Sequence, residues 1–254
     1  MKILRKIGKA IGSIIFVLAL SAAIFAISLT KLTEYNNLKG LVTDLIGSQI
    51  AKVVDNETLT QTHQQLLEEC TKNETIQLAT IIGQNVTIKC EDVEKTTPEG
   101  LMNLFTNALF DSIYYKKYDC SFIECLQKPD QSRLTIFISL EAHSFFKNCQ
   151  YILLIASGVG LAIMLVSIET WWNRLKSVGI SLLSISLPLI ILILFKDRIF
   201  SLLANGIDVK SITSITGQIF DSVSNIFLIM LIAGVILTTS GYILQHFRKV
   251  KVEK

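Results

Sequence analysis

Residues 10–30 read AIGSIIFVLALSAAIFAISLT and contain no Asp, Glu, Lys or Arg. A helix that crosses the hydrocarbon core of a bilayer needs about 20 predominantly apolar residues. Three further windows are equally free of charge: residues 148–168, 177–195 and 222–247. Because backbone hydrogen bonds in lipid must be satisfied within the segment, each window selects a helix. The sequence therefore predicts an all-α membrane protein with a bundle of four transmembrane helices.

The charged residues are concentrated outside the four windows. Only 18% of the 254 residues are charged and 50% are hydrophobic, whereas a soluble domain has about 25% charged residues. All 24 Lys and Arg and all 21 Asp and Glu lie outside the four windows. This distribution excludes a simple soluble domain, a coiled coil and a disordered chain.

Basic residues predict the orientation of the bundle. The short segments 1–9, 169–176 and 248–254 together hold ten of the 24 Lys and Arg. Because cytoplasmic loops are enriched in these residues, we predict a multi-pass protein of the cell membrane with both termini cytoplasmic. Residues 31–147, here called the large outer segment, and residues 196–221 are then extracytoplasmic.

A second interpretation treats residues 10–30 as a cleaved signal peptide, since they follow a basic start and include Ser21-Ala22-Ala23. The anchor interpretation is favoured, because cleavage there would leave apolar residues 24–29 exposed. The window is also longer than the apolar region of a usual signal peptide. Both interpretations place the large outer segment outside the cytoplasm.

Small residues predict where the helices pack. Such residues four apart let helix backbones approach closely in lipid. They occur at Ala19, Ala22, Ala23, Ala26, Ala156, Gly158, Gly160 and Ala162. Packing within one bundle is the favoured interpretation, and a contact between copies is the alternative. At the cytoplasmic boundary, an interfacial anchor is predicted from Trp171, Trp172, Arg174 and Lys176.

The large outer segment is long enough for a core of its own. It holds four cysteines, and a fifth, Cys149, follows at the outer edge of the second window. Cysteines placed in this way indicate disulfides, which form in oxidising compartments. Zinc is less favoured, because a spacing of four residues with no nearby His is a poor ligand pattern. Although three connectivities exist, we predict the pairs Cys70–Cys90 and Cys120–Cys125.

Local patterns predict a small, mostly helical extracytoplasmic domain. Thr97-Pro98 is a typical helix start, with a capping hydroxyl followed by Pro in the first turn. Alternating apolar residues on both sides of Gly83 predict a short β-hairpin. Apolar periodicity predicts helices over residues 42–53, 98–113 and 134–145, the last as one helix that continues into the second window. Residues 58–71 are predicted to form a polar helix.

Two further features mark the outer segments. Three Asn-x-Thr sequons are candidate glycosylation sites, and their use depends on the host; they begin at Asn56, Asn73 and Asn85. In the second outer loop, an apolar stripe predicts an amphipathic helix, formed by Ile212, Ile215, Ile219 and Val223. This helix would pack beneath the outer domain or, alternatively, contact lipid or take part in gating.

The residues carry no recognisable catalytic or cofactor motif. The chain has no phosphate-binding Gly-rich loop, no Gly-x-Ser-x-Gly and no HExxH. No two of the three histidines (His63, His143 and His246) have zinc-ligand spacing. The basic residues form short juxtamembrane clusters, which are typical of contacts with anionic lipid headgroups. We therefore predict no cofactor, no metal and no nucleic-acid partner.

The order of segments resembles the layout of claudin-like proteins, with a large cysteine-bearing loop after the first span. The claudin signature has a Trp and a Gly-Leu-Trp before two cysteines, and the large outer segment contains no Trp. Tetraspanins place their large loop between spans three and four and carry Cys-Cys-Gly, both of which this chain lacks. The resemblance concerns layout and assigns no residue.

Three classes of function stay open. The favoured class is a non-enzymatic multi-pass membrane protein whose extracytoplasmic domain mediates interaction or assembly. Its partners would be the lipid bilayer and a membrane or envelope protein, or a second copy. The second class is a channel or transporter, or a subunit of one, with a kink at Pro188 and a path lined by Ser184, Ser186, Thr238 and Thr239. The third is a membrane enzyme acting on lipid or envelope substrates, with candidate groups Glu141, His143, Asp197 and Arg198.

Overall fold

A computed structural model of the protein describes residues 2–50, 56–79, 85–127, 133–194 and 209–252. The described chain is mostly helical, as predicted. It forms two compact units. One, here called the apolar unit, comprises Met1–Leu29 and Phe146–Lys254, and the other, the insert unit, comprises Thr30–Phe145.

The described elements comprise ten helices and two strands. In chain order they are α1 (Lys2–Leu32), α2 (Tyr35–Ile50), α3 (Asn56–Cys70), β1 (Thr75–Ala79), β2 (Asn85–Lys89), α4 (Cys90–Lys95), α5 (Pro98–Tyr114), α6 (Phe122–Gln127), α7 (Arg133–Phe137), α8 (Leu140–Ser167), α9 (Trp171–Leu194) and α10 (Val209–Val252).

Three helical stretches in the described chain are long and apolar enough to cross a membrane: Ile3–Leu32, Leu140–Ser167 and Ser224–Phe247. The third predicted window, 177–195, falls on α9 up to Leu194. The helices also extend past the uncharged windows. In particular, α10 is one helix of 44 residues, and its backbone takes in the predicted amphipathic stripe.

Helices of the apolar unit approach one another closely at glycines. A Cβ added to Gly160 would lie 2.6 Å from the backbone nitrogen of Phe16, and one added to Gly12 would be equally close to the α8 backbone. Between α9 and α10, a Cβ on Gly179 would lie 2.7 Å from the backbone nitrogen of Thr238. Glycine is therefore required where α1 meets α8 and where α9 meets α10.

The predicted small residues divide into two groups. Those buried in the apolar unit are Ala19, Ala23, Ala26 and Gly160. Those half-buried or exposed are Ala22, Ala156, Gly158 and Ala162. Around Gly158, an added Cβ would meet nothing within 4 Å. Packing between helices of one chain thus uses only part of the predicted rows.

The insert unit has its core between α3, α5 and the hairpin. The strands β1 and β2 pair antiparallel, with Ile76 opposite Ile88, as the alternation predicts. The turn, residues 80–84, lies outside the described residues. Side chains that fill this core are Leu66, Ile76, Val86, Ile88, Val93 and Leu101. A second cluster of Leu38, Phe110 and Tyr114 joins α2 to α5.

In the insert unit, the predicted cap of α5 is present, and one predicted helix is divided in two. Thr97 caps α5 by accepting a hydrogen bond from the Gly100 N–H at 3.3 Å. The prediction of one helix through residues 134–145 is wrong, because α7 ends at Phe137 and α8 begins at Leu140. Ser139 causes the break. Its hydroxyl donates to the carbonyl of Ile136, at 2.6 Å, and accepts from the N–H of Ala142, at 3.3 Å.

Candidate functional site

Two pairs of cysteines in the insert unit lie at disulfide distance. Cys70 and Cys90 have Cα atoms 5.3 Å apart and join the end of α3 to the start of α4. Cys120 and Cys125, with Cα atoms 5.5 Å apart, close a short loop around the start of α6. These are the pairs predicted from the sequence. Cys149 is a free, half-buried thiol.

An aromatic cluster fastens α2 to α5. The hydroxyl of Tyr35 donates to Asp111 at 2.6 Å and accepts from the Lys39 ammonium at 3.0 Å. The Asp111 carboxylate raises the pKa of Tyr35, against the opposing effect of Lys39. Burial raises the pKa of Tyr114, whose hydroxyl donates to the carbonyl of Thr33. Tyr115 extends the cluster to the surface, where its side chain is 57% exposed.

A second aromatic group is formed by side chains of α6, α7 and α8. The ring of Phe122 stacks on Phe145, with centroids 4.8 Å apart, and meets Phe137 edge to face at 5.3 Å. Phe122 is buried, but Phe137 is 43% exposed and the neighbouring Ile123 is 51% exposed. The insert unit therefore presents large apolar side chains at its surface.

Two of the four groups proposed for catalysis, His143 and Glu141, lie in the described residues, and each has a hydrogen-bond partner. Nδ1 of His143 lies 3.2 Å from the carbonyl oxygen of Thr30 and 3.4 Å from the hydroxyl of Thr33. Glu141 accepts a hydrogen bond from the Tyr118 N–H at 3.4 Å. Asp197 and Arg198 lie outside the described residues. Within the described ranges, no three His, Cys, Asp or Glu side chains are grouped to hold a metal ion.

The hydroxyls proposed to line a path do not share one environment. Ser184 and Thr239 are exposed, and each donates to a carbonyl of its own helix. Ser186 is fully buried and also bonds to its own helix. Thr238 is half-buried beside Gly179. α9 continues as a helix through Pro188.

A cavity of about 510 Å³ opens in the apolar unit where α1 begins and where α8 connects to α9. Its basic lining residues are Arg5, Lys6, Lys9 and Lys176, and its acidic one is Glu169. Arg5 and Glu169 form an ion pair. The close approach of Gly8 to Ser167, where an added Cβ would lie 2.5 Å from the hydroxyl, brings the two segments together.

The predicted interfacial anchor lies next to this cavity. Arg174 donates from Nε to the carbonyl of Ile168 at 2.8 Å and so caps the end of α8. Lys176 lines the cavity, with its ammonium 3.7 Å from the ring centroid of Tyr242. Trp171 is 64% exposed and Trp172 is half-buried. Arg174 and Lys176 therefore make contacts that were not predicted from the sequence.

The sequons begin at different kinds of position. Asn73 is exposed in the turn between α3 and β1, followed by an exposed Thr75. Asn56 begins α3 and Asn85 begins β2, and their side chains lie outside the described part. Asn73 is thus the sequon with a defined, accessible acceptor.

Comparison of the chain with protein-family models, with curated proteins and with solved structures found no match. The ion pair between Arg5 and Glu169 was not foreseen, because the two residues lie far apart in the chain. The only sequence signal was their position at the charged ends of two uncharged windows.

Proposed function

We propose that the protein is a non-enzymatic, four-span protein of the cell membrane whose extracytoplasmic domain mediates interaction or assembly. The observation that carries the proposal is the insert unit, Thr30–Phe145. It has its own apolar cores and two cysteine pairs at disulfide distance, and it lies in the chain between two candidate spans. A folded unit of this kind is larger than a connection between helices requires.

The fourth span in this proposal is α9. It ends at Leu194, and its stretch from residue 177 extends about 27 Å at 1.5 Å per residue, close to the hydrocarbon thickness of about 30 Å. Residues 177–194 of this helix contain no charge. With four spans, the basic segments 1–9, 169–176 and 248–254 share the cytoplasmic side. The insert unit is then outside, in the compartment where disulfides persist.

The surface of the insert unit supports a role in binding. Tyr115, Ile123 and Phe137 are each more than 40% exposed. Aromatic side chains are enriched at protein interfaces, where they bury a large area at a small cost in conformational entropy. Phe137 is also held in place by its edge-to-face contact with Phe122. The partner favoured by these residues is a protein outside the cytoplasm or a second copy of this chain.

Site-specific photo-crosslinking in native membranes tests the proposal. A photoreactive phenylalanine analogue placed at Phe137 or Tyr115 should give a discrete crosslinked band, with a mass that identifies a second copy or another protein. The same analogue at Glu91, which is exposed on α4 and paired with Lys95, is the control. Crosslinks of equal yield at all three positions, or none at any of them, would count against a binding surface.

The topology is tested by labelling Cys149 with a membrane-impermeant thiol reagent. The reagent is added from outside the cell, and the labelling after the membrane has been opened with detergent is the reference.

A further inference from the structure

The cavity in the apolar unit has a strong charge bias. Four cations and one carboxylate line it. Because Glu169 pairs with Arg5, three positive charges remain without a carboxylate partner in the described chain: Lys6, Lys9 and Lys176. A protein does not gain stability by collecting like charges, since they repel one another. The arrangement favours an anionic ligand.

The amino end of α9 adds to the positive charge at the cavity. The helix begins at Trp171, and its first main-chain hydrogen bond runs from the Arg174 N–H to the Thr170 carbonyl at 3.1 Å. The amino end of a helix carries a partial positive charge, and its N–H groups suit an anion. Thr170 and Asn173 from this end both line the cavity. The buried hydroxyl of Thr170 makes no hydrogen bond with any residue that the structure describes.

The location of the cavity indicates which anion is available. It lies at the beginning of the candidate span Ile3–Leu32 and just past the end of the candidate span Leu140–Ser167. In the proposed topology, on which this step rests, these ends meet the headgroup layer of the bilayer. Basic pockets between transmembrane helices bind anionic headgroups by their phosphate. About 510 Å³ is also within the volume range of small-ligand sites.

We infer that this cavity is a binding site for a phosphate group, supplied by an anionic phospholipid headgroup or by a soluble phosphate ester. Lys6, Lys9 and Lys176 provide the charge, and Asn173 provides a hydrogen-bonding side chain. The Lys176 ammonium lies on the ring of Tyr242, and its side chain lines the cavity. The ion pair of Arg5 with Glu169 links α1 to the α8–α9 connection, the two segments that line the cavity.

Titration of the detergent-solubilised full chain tests this site. The probes are dioctanoyl phosphatidylglycerol, dioctanoyl phosphatidylcholine and glycerol 3-phosphate, and the readout is the fluorescence of Trp171 and Trp172, the only tryptophans. Binding of the phosphatidylglycerol alone identifies a lipid source, and binding of glycerol 3-phosphate as well identifies a soluble one. Either result supports the site. Equal binding of phosphatidylcholine and phosphatidylglycerol, or no binding of any probe, overturns it.

Variants separate the cavity from general surface charge. Replacing Lys6, Lys9 and Lys176 with Gln should weaken binding about fivefold per residue and about a hundredfold together. The matched control replaces Arg248, Lys249 and Lys251 with Gln, which removes the same charge from the C-terminal tail. Equal losses in the two triple variants would overturn the inference. Should the first variant not fold, the single variants Lys6→Gln and Lys9→Gln keep the test open, since each should weaken binding about fivefold; a loss no larger than that of Lys249→Gln contradicts the site.

Discussion

Gly160 and Gly158 on α8 form a matched pair for testing how the apolar unit packs. In Gly160→Ala, the new Cβ would lie 2.6 Å from the Phe16 nitrogen and 3.1 Å from the Gly12 carbonyl oxygen, both main-chain atoms of α1. Non-bonded heavy atoms prefer about 3.5–4.0 Å, so α1 and α8 must separate locally by about 1 Å. Overpacking of this kind costs about 1–3 kcal/mol. In Gly158→Ala, the new Cβ meets nothing within 4 Å.

The comparison isolates this steric cost. Both substitutions add one methyl group to the same helix, and each gains the same helix propensity, about 1 kcal/mol at most. We expect Gly158→Ala to be at least as stable as the parent protein. We expect Gly160→Ala to be less stable than Gly158→Ala by about 1–3 kcal/mol, or about 5- to 150-fold in the unfolding equilibrium.

Unfolding by SDS in mixed micelles, followed by tryptophan fluorescence, provides the measurement. Trp171 and Trp172 both lie in the apolar unit, at the start of α9. Equal stability of the two variants, or lower stability of Gly158→Ala, would refute the close approach of α1 and α8. Gly179→Ala offers an independent test at the α9–α10 contact, where the Cβ would lie 2.7 Å from the Thr238 nitrogen.

Three predictions concern the insert unit. Cys90→Ser breaks a link across 20 residues and should cost about 3 kcal/mol, seen as faster amide hydrogen exchange in α3 and α5. Leu101→Ala removes a side chain that is 0% exposed and should cost about 2–5 kcal/mol in the same assay. Because the pKa of Tyr35 and of Tyr114 is raised, stability should be full below about pH 10 and fall as pH rises further. Tyr35→Phe should flatten that decline, as followed by near-UV circular dichroism.

The disulfide and core predictions each have a control variant elsewhere in the chain. Cys149→Ser removes a free thiol and should leave exchange in α3 unchanged. Ser substitution of Cys149 that destabilises α3 as much as Cys90→Ser would contradict the disulfide assignment. For the core, Asn103→Ala changes an exposed position of α5 and should be nearly neutral. Alkaline stability that rises with pH, or a decline unaffected by Tyr35→Phe, would contradict the reasoning on the Tyr35 cluster.

Much of the helical architecture is predictable from local sequence, because charge-free windows and capping residues act over a few turns. The windows locate the long helices but not their ends, since a helix continues through polar turns once its backbone bonds are made. This is why α10 extends back to Val209. The break at Ser139 was missed because a serine hydroxyl that ends one helix and begins the next looks in sequence like an ordinary polar position.

The glycine contacts show a different limit. Fourfold spacing within one helix highlighted Gly158 and Ala162, which are exposed, along with Gly160, which is buried. The pairing of Gly160 with Gly12 depends on how α1 and α8 are placed in space, and spacing along one helix carries no information about its partner. Rows of small residues therefore indicate faces able to pack, and the structure decides which face does.

For the basic residues of the predicted cytoplasmic side, too, the role of each residue depends on its partners in space. In the orientation rule each Lys or Arg counts equally, yet the structure sorts them by partner. Arg5 is paired with Glu169, Arg174 caps α8, and the Lys176 ammonium lies on the Tyr242 ring. Orientation depends on the number of charges, which sequence supplies. Recognition of an anion depends on which charges lack a carboxylate and share a cavity. That property arises only when α1 lies against the α8–α9 connection, so substitutions that separate these segments, such as Gly8→Val beside Ser167, should weaken phosphate binding without removing a single cation.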